Sequence, residues 1–188
     1  MASSRNSALA PVFACLLSCS VGQGEGELSG RVDVEGCETT DRYELRPSAF
    51  FAQAVEDLLR IRVQRGSDLE VRSDGLAVLV SEASRVKQEF LGVPLDVTSM
   101  SPGIDVSVFL NESCPPGRDR TPVVLSAVNG TIRFDAIYAP KVDDDEVHIH
   151  AELTDVRFVD PRNDKRSAVL SGWFDFLYTR GSPAQRFP

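Results

Sequence analysis

The feature that most restricts what this chain can fold into is a hydrophobic period of two. Leu28, Gly30, Val32 and Val34 alternate with Ser29, Arg31 and Asp33. Leu59, Ile61 and Val63 alternate with Arg60, Arg62 and Gln64. Ile104, Val106, Val108 and Leu110 alternate with Asp105, Ser107 and Phe109. The same holds for Val147, Ile149 and Ala151, and again for Leu170, Phe174 and Phe176. Successive side chains of a strand point to opposite faces, so such runs belong to antiparallel sheets with one face in water.

Turn chemistry adds detail. Asp74-Gly75 suits a two-residue type I′ hairpin, which would pair Val71 with Val78, Leu69 with Val80 and Arg72 with Ala77. Asn129-Gly130 suits another, pairing Ala127 with Ile132 and Leu125 with Phe134. Two segments read as short helices: Ser48 to Leu59, with Phe51, Val55, Leu58 and Leu59 at helical spacing after Pro47, and Ser81 to Phe90. Residues 111–121 and 160–166 read as loops. With 188 residues, 42% of them hydrophobic and 26% charged, one domain with a real core is expected. The expected fold is all-β: a single antiparallel β-sandwich with one or two short helices, or, as the alternative, an open β-barrel.

Charge excludes some functions. The formal net charge is −8, and no basic cluster with interleaved aromatics occurs, so nucleic-acid binding is not expected. No Gly-x-Ser-x-Gly elbow or phosphate-binding glycine loop is present, so no enzyme activity is expected and no cofactor is implied.

The start of the chain reads as an export signal. Arg5 is the only charge in residues 1–18, and Ala8 to Leu17 form an apolar run too short to span a bilayer. The stretch Leu16-Leu17-Ser18-Cys19 resembles the bacterial lipobox. That resemblance implies cleavage before Cys19 and lipidation of its thiol, giving a palmitate-type anchor in the cell envelope. Ser20 after the cysteine leans towards the outer membrane by the same analogy; secretion or a periplasmic location is the alternative. The expected organisation is a signal peptide over 1–18, the lipidated Cys19 with a Gly-rich tether over 19–27, a β-domain over 28–180 and a tail over 181–188. Together with the Gly-led strands and the aromatic last strand, these features resemble small uncharacterised β-sandwich lipoproteins of myxobacteria-like bacteria, a group that implies no transferable activity.

Cys37 and Cys114 remain in the mature chain. Two cysteines in an exported domain suggest a disulfide, with two free thiols as the alternative. Closing a loop of about 77 residues would contribute about 4.5 kcal/mol in the chain-entropy model.

Three further features carry candidate chemistry. His148 and His150 are the only histidines; as alternate strand residues they share a face and could reach one metal, although only Glu152 joins them there from the same strand. The neighbouring run Asp143-Asp144-Asp145-Glu146 is either a calcium site or a solvated turn. Trp173 lies on the face opposite Phe174 and Phe176, and is either a binding surface or packed under a loop. Finally, Leu28-Ser29-Gly30 echoes Leu170-Ser171-Gly172, through duplication or through shared strand grammar. The expected function is that of a membrane-anchored structural or interaction module, its partner an envelope protein or polysaccharide. A metal-binding protein built on His148 and His150 is the alternative.

Overall fold

The computed structural model describes residues 24–35, 37, 42–66, 73–114, 123–144 and 146–179. Residues 1–18, expected as a signal peptide, Cys19, residues 181–188, expected as a tail, the strand expected over 69–72 and most of the loop expected over 111–121 lie outside those residues. The elements are β1 (Gly24–Asp33), β2 (Tyr43–Leu45), β3 (Ala49–Val55), β4 (Leu58–Gln64), β5 (Asp74–Val80), α1 (Ala83–Glu89), β6 (Leu95–Asp96), β7 (Ile104–Leu110), β8 (Val124–Ala136), β9 (Val147–Asp160) and β10 (Asn163–Tyr178).

All strands join one antiparallel sheet in the order β2-β1-β10-β9-β8-β7-β5-β4-β3, with β6 beside β8. The fold is therefore all-β, as expected, but it is a single curled open sheet, which is closer to the open-barrel alternative than to two stacked sheets. Connectivity forces the curl. A flat sheet of this many strands would separate its edges by about 38 Å. Yet the two edge strands, β2 and β3, are joined by Arg46, Pro47 and Ser48 alone, a link that reaches at most about 14 Å. The edges must come together, and Arg65 Nη2 donates to the Glu44 carbonyl at 2.8 Å across the gap.

The curl encloses the core. Leu28, Val32, Leu59, Ile61, Val63, Val106, Val108, Ile149, Ala151, Leu170, Phe174 and Phe176 are all buried, which is the inward parity of the alternating runs. Phe50 of β3 meets Phe176 of β10 across the interior, with ring centroids 5.5 Å apart. Cys37 follows β1 and Cys114 follows β7, strands four places apart in the sheet. The two are bonded as a disulfide with Cα atoms 4.4 Å apart, a clasp across one end of the curl.

Several expectations are corrected. Ser48 to Leu59 is a hairpin instead of a helix: β3 and β4 pair from Ala49↔Gln64 to Val55↔Leu58. Its turn, Glu56-Asp57, has no glycine; Glu56 itself takes φ 56°. The apolar β4 needs a paired neighbour on each side, and that need outweighs the helical spacing. The second helix forms as α1, within the expected bounds. Its first turn is capped from the hairpin, since Asp57 Oδ1 accepts Ser84 N at 3.1 Å and Ser84 Oγ at 2.6 Å.

Neither Asp-Gly nor Asn-Gly makes a turn. Asp74 and Gly75 open β5, whose Val78 lies between Ile61 and Val106 and whose Val80 lies between Leu59 and Ile104. Both edges of β5 are thus occupied. The Phe109 ring fills the space a Cβ on Gly75 would take. Asn129 and Gly130 sit inside the continuous β8, where Ala127 pairs with Phe158, Leu125 with Val108 and Ile132 with Leu153. Opposite them β9 carries one extra residue, Asp155, at φ 48°. A Cβ on Gly130 would lie 2.5 Å from the Cα of Val156, so the glycine serves a β-bulge.

Gly24 to Glu27, expected as tether, are the first residues of β1 and pair with Phe176 to Trp173. The loop over 160–166 shortens to the Pro161-Arg162 turn, because β10 starts at Asn163.

Candidate functional site

The four long strands β8, β9, β10 and β1 lie side by side and present one broad outer face. Register lines up two rows across it. One row runs Arg133, Glu152, Trp173, Glu27; the next holds His150, Asp175 and Glu25. These positions alternate with buried Phe134, Ala151, Phe174 and Leu28, so the same periodicity that fills the core places every one of these polar groups outside.

Asp175 is the hub. Its Oδ1 meets His148 Nδ1 at 3.0 Å and its Oδ2 meets His150 Nδ1 at 3.2 Å. Partial burial alone would raise its carboxyl pKa. The hydrogen bonds and charge of the two histidines outweigh that and hold it below the ordinary carboxylate value. On the other side of His150, Nε2 lies 3.6 Å from Asp135 Oδ2. Asp135 also holds Arg133 at 3.1 Å, and Arg133 Nη2 reaches Glu152 at 2.6 Å. The hydrogen bonds from Arg133 to Asp135, and the charges of Asp135 and Glu152, raise the guanidinium pKa.

Trp173 sits half-buried within this network. Its ring runs nearly parallel to that of His150, at 18° with centroids 6.1 Å apart. Glu152 and Glu27 flank it on the neighbouring strands. A flat aromatic surface rimmed by carboxylates and imidazoles can stack a planar or CH-rich ligand face and accept hydrogen bonds around it.

The structure thus brings His148, His150 and Trp173 together on one face, as the strand period implied for the histidines. Cys37 and Cys114 are bonded, and Cys19 lies outside the described residues. Glu152 bonds to Arg133 and does not turn to the histidines, each of which commits a ring nitrogen to Asp175. Among the described residues no group of three or more His, Cys, Asp and Glu side chains is placed to hold a metal ion. The acidic run is partly spent on structure. Asp143 bonds Lys87 of α1 at 2.5 Å and accepts Ala139 N at 2.8 Å. Asp175, Asp135 and Arg133 were not legible as site residues. The wet parity of β10 marks Asp175 as exposed, but only the β9–β10 register shows that it faces both histidines.

Comparison with family models, curated proteins and solved structures finds no match to this chain. No helix among the described residues is long and apolar enough to cross a membrane.

Proposed function

We propose that this chain is an exported, lipid-anchored envelope lipoprotein that acts as an interaction module, holding an envelope protein or polysaccharide on the outer face around Trp173. Two lines support the address. The leader runs into the lipobox-like Leu16-Leu17-Ser18-Cys19, and the Cys37–Cys114 disulfide suits an oxidising compartment. The binding role rests on one observation: a half-buried tryptophan ring nearly parallel to an imidazole, among charged side chains on the outer face of β8, β9, β10 and β1. Buried packing needs no such polar rim, whereas stacking with oriented hydrogen bonding does.

Trp173 is the only tryptophan in the chain, so its fluorescence reports on this face alone. Titrating the full chain with solubilised envelope polysaccharide and with an envelope protein fraction should shift the emission, and Asp175→Ala should weaken the response. An emission spectrum unchanged by both would rule out the face as the site. Cys19→Ser should abolish fatty-acid labelling; labelling that persists would refute the anchor without touching the binding role.

A further inference from the structure

β3 is an edge strand. It pairs with β4 along its whole length, and among the described residues no strand pairs with its other side. Stable proteins blunt such edges with charge, proline, a bulge or brevity. β3 has none of these. Its seven residues read Ala-Phe-Phe-Ala-Gln-Ala-Val, and its register with β4 is unbroken. The opposite edge, β2, is three residues long and runs into Arg46-Pro47. Beyond Phe50 the outward face of β3 meets solvent, with Gln53 and Val55 exposed and Phe51 half-buried, while Ala52 and Ala54 on the other face are half-buried against the core. Phe50, packed on Phe176, marks where the seam is closed from within.

β4 supplies charge beside this edge. Leu59, Ile61 and Val63 point inward, so Arg60 and Arg62 point outward, opposite Gln53 and Phe51. Among the described residues neither has a carboxylate partner. Arg62 instead lies on the Phe109 ring, 4.4 Å from its centroid, and among the described residues its buried Nε has no hydrogen-bond acceptor. Burial lowers the pKa of that guanidinium. A partly desolvated cation without an anion is costly, and an incoming carboxylate would offset the cost. Two arginines unmatched among the described residues stand out in a chain of net charge −8.

We infer that the free edge of β3 from Phe51 to Val55 takes up an extended acidic segment of a partner protein as one further strand of the sheet. Main-chain hydrogen bonds hold the segment, and its outward carboxylates lie towards Arg60 and Arg62. An added strand sits about 10 Å from β4, a distance that an arginine and a glutamate span together. A second copy fits less well. Edge-to-edge pairing of two β3 strands would set Arg60 and Arg62 of both copies along one outer face, adding repulsion to that of two acidic molecules. The inference deepens the interaction-module reading but does not depend on Trp173 or on the lipid anchor, so each can fail separately.

The test uses the full chain and two blocked peptides matched to the length of β3, one alternating Glu with Val and one alternating Lys with Val. The Glu peptide should bind, seen by anisotropy of a labelled copy, and the Lys peptide should not. Binding should slow hydrogen exchange at those amides of residues 51–55 that do not bond to β4, with Trp173 emission unchanged. Arg60→Glu/Arg62→Glu should weaken the Glu peptide at least about tenfold, or about 1.4 kcal/mol, and should create binding of the Lys peptide, which shows that the variant remains folded. Three results would overturn the inference: no change in exchange at 51–55 with millimolar Glu peptide, equal binding of both peptides, or sedimentation of the free chain as a dimer with these amides already protected.

Discussion

Gly30 and Gly172 are related by a local two-fold axis through the paired Ser29 and Ser171. In the β1–β10 register Leu28 faces Gly172 and Gly30 faces Leu170. A Cβ on Gly30 would run into the carbonyl of Val169, and one on Gly172 into the carbonyl of Glu27, each the residue before the facing leucine. The repeated Leu-Ser-Gly is therefore one packing solution used twice. An antiparallel pair places both copies in the same environment.

Gly30→Ala and Gly172→Ala should each destabilise the fold by about 1–3 kcal/mol, because backbone must move to admit the methyl group. The double variant should cost less than the sum, since both substitutions part the same strand pair. Urea unfolding of the four proteins measures this; full additivity would contradict the shared constraint.

Asp175 should contribute stability that depends on pH. Its folded pKa is depressed, so the contribution is present above the unfolded value of about 3.9 and is lost as pH falls through the lower folded value. The stability difference between the wild type and Asp175→Asn should be of the order of 0.5–1 kcal/mol near pH 5 and should shrink towards pH 2. A difference that grows on acidification would refute the assignment.

Asp57 caps α1 from outside the helix, through Ser84 N and Ser84 Oγ. Asp57→Ala should cost about 1 kcal/mol and speed amide exchange at Ser84 and its neighbours before it does so in the β-sheet. Uniform acceleration across the chain would indicate that α1 and the sheet open as one unit.

Cys37→Ser/Cys114→Ser should lower stability by about 2–4 kcal/mol. The wild type measured with reductant should fall to the same value, and the double variant should not respond to reductant.

Much of the fold was legible because the sheet has one wet face. Wherever water lies on one side, as at Leu59-Ile61-Val63 or Leu170-Phe174-Phe176, the period of two survives in the sequence. Legibility failed where one residue type serves two purposes. Gly75 makes room for Phe109, and Gly130 for a bulge, yet both stand in dipeptides that elsewhere make turns. Asp74 is wholly buried, accepting Glu112 N, Ser113 N and Ser113 Oγ, so it fixes the bend before Cys114. Conversely, the turn at Glu56-Asp57 carries no glycine or asparagine. The candidate site was half legible. The shared face of His148 and His150 follows from local spacing, whereas Asp175 reaches them only through pairing between strands.

The pairing of β1 with β10 joins ten residues near the start of the chain to a strand close to its end. A polypeptide threaded across a membrane amino-terminus first would hold β1 without its full pairing to β10 until Phe176 had emerged. Long-range pairing of this kind delays completion of the sheet. The β1–β10 seam would stay incomplete for as long as its last paired residues remained on the near side.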